Sequence, residues 1–320
     1  MEIQRRAEKY PKYHLPTRPV TMISVIVCTY NRDKYIYECL HRLADNHSTE
    51  QWELLLIDNN STDLTASECH RFEEDCQPTN YRYIIERQQG LSYARNRGMQ
   101  EAKGDWLVFL DDDAFVQPDY IQTLANYISS LPDMHAFGGR IMPFYEDGTA
   151  PKWLCKWNRS WLSAIDKGDN VCLFSGAEYP IGANMGIRAD FAKQCGLFNT
   201  TLGRSGKNLI GGEEKDYFNR LKALDAKIYY LPDIEVEHCI PPSRTTYDYI
   251  RRLGAGIGSS ERLRTLDIGK TAYAKRLCSE AVKWAGTICL ATIYALSFKP
   301  DCAKSLIVFR AQVSTHLIKG

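Results

Sequence analysis

The sequence predicts an α/β protein: a mostly parallel sheet flanked by helices, with a C-terminal helical extension. Three observations predict it. Short apolar runs recur through the first half, segments of helical periodicity separate them, and a polar cluster follows three of the four runs. The runs are Ile23 to Cys28, Trp52 to Ile57, Tyr81 to Ile85 and Asp105 to Leu110. They are nearly continuous in apolar residues, as strands covered on both faces are, and helices between them are the usual cover.

The first helical segment runs from about Asp33 to Asn46, with Ile36, Cys39, Leu40 and Leu43 on one face and His41, Arg42 and Asp45 on the other. The next two run from Thr62 to Asp75 and from Leu91 to Lys103. Residues 143–180, rich in Trp, Gly, Pro and Lys, read as long loops. A short strand is expected near Ile181 to Ile187, a helix near Asp190 to Cys195, and a glycine-rich loop from Leu202 to Gly212. Glu213 to Leu224 reads as a helix, Lys227 to Leu231 and Ile234 to His238 as two strands, and the chain from Thr245 onward as largely helical. The expected organisation is an N-terminal extension (1–22), a catalytic domain (23–244) with halves at 23–115 and 116–244, and a helical region (245–320).

Composition narrows the class. Of 320 residues, 44% are hydrophobic and 25% charged, ordinary values for a globular chain with a sizeable core. The formal charge of +1 gives no electrostatic footprint for nucleic acid. Eleven cysteines are scattered without metal-ligand spacing, which suits a reducing compartment. The N-terminal segment is polar, with no apolar run to act as a signal. A cytoplasmic protein is expected.

Open α/β sheets bind ligands beyond the carboxyl ends of their strands. There the chain places Thr29-Tyr30-Asn31-Arg32, Asp58-Asn59-Asn60-Ser61-Thr62-Asp63 and Asp111-Asp112-Asp113. Three consecutive carboxylates repel one another unless a cation joins them, and Mg²⁺ or Mn²⁺ shared with a diphosphate is the fitting partner. The alternative is a solvated acidic turn capping a helix. Asp58 suits either a ribose or base contact or a helix cap. The helix opened by Gly90 and carrying Arg95 and Arg97 suits an anion at its N-terminus. Glu213 and Glu214 open another helix, where acids either complement the dipole or supply a general base of raised pKa. His238, at a strand end, is either a satisfied polar residue or the third ligand of the same cation.

The order of these elements resembles the family 2 glycosyltransferases, inverting enzymes of GT-A fold, from about Ser24 to Arg252. Ser24 to Arg32 looks like the family's opening strand and nucleotide loop, which implies nucleotide contacts from Thr29, Tyr30, Asn31 and Arg32. Ile57 to Asp63 is similar to its second loop, where Asp58 would read the base. Gly90 to Gly98 matches its helix signature. Asp111-Asp112-Asp113 corresponds to the DxD motif, implying Asp113 as metal ligand and shared ribose and metal contacts for Asp111 and Asp112. Pro180 to Met185 resembles the acceptor-side strand, implying acceptor contacts from Asn184 and Met185, with Trp153 as the aromatic near the sugar. Gly212-Glu213-Glu214 stands where the family carries its ED motif, so Glu214 is the implied base, in place of the usual Asp, with Glu213 as its substitute. Val236-Glu237-His238 and Arg244 resemble the metal-binding His and a downstream phosphate-binding residue.

The resemblance implies a divalent-metal-assisted single displacement from a nucleotide-diphosphate sugar onto a hydroxyl of a carbohydrate or lipid-linked acceptor. UDP is the first nucleotide expected, with dTDP and GDP as the other candidates. Arg95 or Arg244 would offset charge on the leaving diphosphate. Two rival readings are a sugar nucleotidyltransferase and a non-catalytic sugar-nucleotide-binding module. The first wants a glycine-rich loop near the N-terminus, and Ser24 to Arg32 contains no glycine. In the tail, Ala285 to Phe298 is uncharged but shorter than the ~20 residues of a spanning helix. A second helix is expected from Cys302 to Ile318, and between Arg251 and Lys283 eight Lys or Arg face three acids. The tail therefore suits ordinary packing, a homo-oligomer interface or a peripheral membrane contact.

Overall fold

A computed structural model describes residues 22–204 and 211–319. The first β-α units follow the sequence pattern. They are β1 (Ile23–Thr29), α1 (Asp33–Ala44), β2 (Trp52–Asp58), α2 (Thr65–Cys76), β3 (Tyr81–Ile85), α3 (Leu91–Glu101) and β4 (Trp106–Asp111). Then come β5 (Ala114–Val116), α4 (Tyr120–Ser130), β6 (Ala136–Tyr145), β7 (Cys172–Leu173), β8 (Asn184–Arg188), α5 (Ala189–Cys195), α6 (Glu213–Ala223) and β9 (Ile228–Ile240). Three helices close the chain: α7 (Tyr247–Ile268), α8 (Lys270–Leu296) and α9 (Pro300–Lys319). Residues 1–21 of the expected N-terminal extension and 205–210 of the expected glycine-rich loop lie outside the described residues.

The described strands form one sheet in the order β3-β2-β1-β4-β8-β6-β9-β5, with β7 added against β9. β1 to β4 are parallel, whereas β8 runs antiparallel to both β4 and β6. Two buried clusters fill the two sides. One holds Val25, Val27, Ile36, Leu40 and Phe72, and the other Ile26, Phe109, Met185, Tyr217 and Phe218. A third joins Trp153 and Leu162 to Tyr249, Ile250 and Phe309, tying the 143–180 loops to the C-terminal helices.

Two expectations need correction, and one helix has no counterpart in the sequence pattern. The two strands at 227–238 are one strand, β9, because an irregularity in the pairing accommodates Pro232, Asp233 and Ile234: Gly139 pairs with Leu231 but Arg140 pairs with Glu235. Residues 143–145 belong to a ten-residue strand, β6, that lies between β8 and β9. The helix α4 also escapes the sequence pattern, although Tyr120, Ile121, Leu124 and Tyr127 are buried on it.

Register places the polar clusters together. Thr29 pairs with Asp58 across β1 and β2, and Cys28 with Asp111 across β1 and β4. On the far side, β5 pairs antiparallel with β9 so that Ala114 stands opposite His238. The Cys239 amide donates to the Asp113 carbonyl at 2.8 Å. That short pairing delivers a histidine from late in the chain to the acidic run.

Gly186 of β8 pairs with Phe137 of β6, and a Cβ at Gly186 would sit 2.1 Å from the Phe137 ring. The ring is wholly buried and covers the glycine. Gly186→Ala is expected to destabilise the fold by about 1–3 kcal/mol through overpacking, read as a lower urea midpoint at unchanged slope.

Candidate functional site

The strand ends open into a cavity of about 770 Å³. Thr29, Tyr30, Arg32, Arg95, the three aspartates, Glu213, Glu214 and Arg244 all line it. Its far wall comes from the 143–180 loops and α7, including Trp157, Trp161, Ile165, Leu253 and Ile257.

Arg95 of α3 sits at the centre. It is 2% exposed, and donates from Nη1 to Glu213 Oε1 at 2.9 Å and from Nη2 to Glu214 Oε1 at 3.0 Å. Asp111 Oδ1 lies 3.9 Å from the same Nη2. One guanidinium therefore serves three carboxylates from two distant segments. Gly182 completes the arrangement, since its amide donates to Glu214 Oε1 at 2.9 Å. A Cβ there would stand 1.9 Å from Arg95 Nη2 and 2.3 Å from Glu214 Oε1, so only glycine lets the backbone approach. Gly212, at φ 97°, supplies the left-handed turn before α6. The start of α6 is held by α7, where Ser260 Oγ accepts from the Gly211 amide at 2.9 Å and Glu261 binds Lys215 at 2.8 Å.

Glu214 is a carboxylate able to exchange a proton near neutrality. Burial, reinforced by Glu213 and Asp111, pushes its pKa up to about 7 against the pull of Arg95. Its side chain is 19% exposed, whereas that of Glu213 is only 4% exposed, so Glu214 is the more accessible of the two.

The acidic run is neutralised residue by residue. Arg32 Nε lies 3.5 Å from Asp112 Oδ1, and its Nη2 lies 3.4 Å from Asp113 Oδ2. Arg244 Nη2 is 3.4 Å from the same Asp113 oxygen, and its Nη1 is 3.4 Å from His238 Nε2. His238 Nε2 stands 3.1 Å from Asp113 Oδ1. Burial pushes Asp112 up to about 7, with Arg32 opposing and Asp113 adding. Burial also works against Asp113, but His238 and Arg244, with Arg32, hold it well below the usual carboxylate range.

Asp111, Asp113 and His238 each offer a ligand atom, all within 4.8 Å of one another. Two carboxylate oxygens and one imidazole nitrogen form a donor set that fits a divalent cation. His238 Nδ1 is buried without a hydrogen-bond partner, so polar capacity remains on that ring.

Other expected residues are placed elsewhere. Asp58 is buried with both oxygens engaged, by the Ser61 amide at 2.8 Å and the Tyr83 hydroxyl at 2.5 Å. Asn31, at φ 52°, uses its Oδ1 on the Thr62 amide. Both shape the loops beside the cavity instead of lining it. Asn184 bonds Tyr120, Arg140 and Ile234, and Met185 lies in the core, so neither faces the cavity. Trp153 is buried and donates to the Thr245 carbonyl at 2.6 Å. Trp157 and Trp161 line the cavity in its place.

Sequence reasoning gives no role to Gly182, whose importance emerges only when α6 folds against it. It also misses Arg204, which lines the cavity. Burial opposes the Arg204 charge, but Tyr249, Asp111, Glu213 and Glu214 together hold its pKa above the ordinary value. An arginine beside Gly203 in a glycine-rich loop is the available signal.

The family model described as Glycosyl transferase family 2 matches residues 24–196. A glucosyl-dolichyl phosphate glucuronosyltransferase of Haloferax volcanii is 24% identical over 267 residues, covering 80% of this chain and 82% of that protein. The succinoglycan biosynthesis protein ExoM of Rhizobium meliloti is 25% identical over 303 residues, covering 93% and 92%. Among solved structures, the mannosyltransferase PcManGT from Pyrobaculum calidifontis, in complex with GDP-Man and Mn²⁺, superposes with a TM-score of 0.61. It shares 18% identity, with 99% of this chain and 93% of that one covered, a likeness of fold.

Replacing Arg95 by Met would leave the buried Glu213 and the half-buried Glu214 without their cation. Arg95→Met is expected to cost about 3–5 kcal/mol, measured by denaturant unfolding near pH 8, with part of the loss recovered at acid pH where the carboxylates protonate.

Proposed function

The chain belongs to glycosyl transferase family 2, and from that premise we propose that it is an inverting glycosyltransferase. It moves a sugar from a nucleotide-diphosphate donor, UDP first among the candidates, to a hydroxyl of a carbohydrate or lipid-linked acceptor. The observation that carries the reading is Glu214, a cavity-facing carboxylate of pKa about 7 fixed by Arg95 and the Gly182 amide.

Arg32 and Arg244 stand at the acidic run, where they can turn from Asp112 and Asp113 toward a diphosphate. Asp111, Asp113 and His238 would hold Mn²⁺ or Mg²⁺, which when bound offsets charge on the diphosphate as the glycosidic bond to it breaks. Glu214 then accepts the proton of the acceptor hydroxyl while that oxygen bonds the anomeric carbon from the face opposite the leaving group. The sugar's configuration inverts in this single displacement. Burial helps by matching the base to neutral pH and excluding water that would compete with the acceptor. The dolichyl-phosphate relative and ExoM support a glycolipid or polysaccharide acceptor.

Glu214→Gln is expected to lower transfer by about 10²–10⁴-fold while leaving donor binding intact. For the unsubstituted protein, kcat/KM should climb tenfold per pH unit below about 7 and level above it, since only ionised Glu214 takes a proton. Transfer that survives the substitution, with that acid limb unchanged, would remove Glu214 from the role of base.

Thermal melting with UDP, dTDP and GDP, each with and without Mn²⁺, checks the donor and the metal. A fitting diphosphate should add about 2.7 kcal/mol of stability at a hundredfold excess over its Kd, only with metal, and Asp113→Asn should abolish the gain. A metal-independent shift would count against the Asp111, Asp113 and His238 site.

A further inference from the structure

Helix α8 is built inside out. Its buried positions are Arg276, Glu280, Thr287 and Ala291, three of them polar. The inward charges are satisfied: Arg276 binds Glu261 at 2.9 Å and Glu280 at 2.7 Å, and Arg310 of α9 reaches Glu280 at 3.2 Å. At 3.6 residues per turn, Val282, Cys289, Ile293 and Leu296 fall on the opposite face. That face is open, with Val282 73%, Leu296 76% and Phe298, just past the helix, 95% exposed. From Trp284 to Phe298 there is no charged residue. A helix that uses its inner face for ion pairs and presents apolar residues outward is suited to an apolar medium on its outer side.

Charge says which medium. Residues 245–320 carry twelve Lys and Arg against five Asp and Glu, seven positive charges in excess, while the whole chain is only +1, so the rest carries six negative charges in excess. On and beside α8, Lys270, Lys275, Lys283, Lys299 and Lys304 are exposed, whereas Glu280, the acid of the helix, is buried in its ion pairs. A shallow groove of about 420 Å³ between α8 and α9, lined by Ile288, Ala295, Ile307 and Val308 with Lys304 beside them, continues the apolar surface. A second copy packed face to face would set these lysines against their own kind.

We infer that the outer face of α8 docks on an anionic phospholipid surface, its apolar residues entering the acyl boundary and its lysines meeting the headgroups. No helix among the described residues is long and apolar enough to cross a membrane, so the contact is in-plane. This inference goes beyond the transferase reading and does not depend on it.

The test is co-sedimentation of the full chain with phosphatidylcholine vesicles, with and without about one third phosphatidylglycerol. Binding to the anionic vesicles, weakened at high salt, is expected, together with at least about a tenfold loss in Leu296→Glu/Phe298→Glu and in Val282→Glu. These positions are so exposed that melting temperatures should not change, which separates lost docking from lost folding. Glu214→Gln should bind vesicles as the unsubstituted chain does, so failure of docking and failure of the transferase reading are distinguishable. No binding to anionic vesicles, or binding unaffected by the glutamates, would overturn the inference. A dimer in solution that the glutamates dissociate, without vesicle binding, would assign the face to a second copy instead.

Discussion

The site depends on one buried guanidinium. Arg95 reaches Glu213 and Glu214 on α6 and lies near Asp111 at the end of β4, so it ties the first strands of the sheet to the helix that carries the proposed base. A buried charge is tolerated only when paired and hydrogen-bonded, and here the pairing spans more than a hundred residues of sequence. The consequence is that Glu214 cannot be correctly placed until α3, β4 and α6 are all in position. Gly182 adds a steric condition to the electrostatic one, because any side chain there would collide with both partners of the ion pair.

A second constraint is the β5–β9 pairing. It sets His238 opposite Ala114, so the residue before Ala114, Asp113, meets the imidazole at 3.1 Å. The buried face of β9 runs through Ile234, Val236, His238 and Ile240, and one position of that inward alternation therefore carries a side chain that reaches the acidic run. Placement of this candidate metal ligand follows from register, with no special loop required.

Much of this is legible in the sequence. The four strands and the clusters after them are readable because the central parallel strands, buried on both faces, have few other compositions, because β3 at the sheet edge is still rich in aromatic and β-branched residues, and because chemistry collects at the carboxyl ends. The acidic run, the paired glutamates and His238 can be named, and the structure brings them to one end of the sheet. What cannot be read depends on contacts between distant segments. Asn184 looks like a polar residue ready for an acceptor, but its amide is consumed by Arg140 and Ile234. Trp153 looks like a sugar platform, but it is buried in the cluster that α7 and α9 complete, while Trp157 and Trp161 line the cavity. The single strand β9 looks like two because Pro232 and Asp233 are turn residues in any local reading, and only its pairing with β6 shows that they sit in an irregularity of one strand.

Asp113 and Glu214 are both carboxylates of the site and behave oppositely, and the difference is a matter of neighbours. Asp113 is almost wholly buried, yet His238, Arg244 and Arg32 surround it and keep it ionised. Glu214 is hydrogen-bonded to Arg95, a cation it shares with Glu213, and burial outweighs that pairing. Environments that push such pKa values apart separate the groups that hold charge from the groups that move protons. By that criterion Asp113 is suited to stay anionic beside a cation across the working pH range, and Glu214 to exchange a proton within it. The division follows from where four arginines lie: Arg32 and Arg244 beside the acidic run, Arg95 between the two acidic segments and Arg204 on the cavity wall. Moving a single positive charge from the acidic run to the paired glutamates would draw the two pKa values together and blur the division of labour.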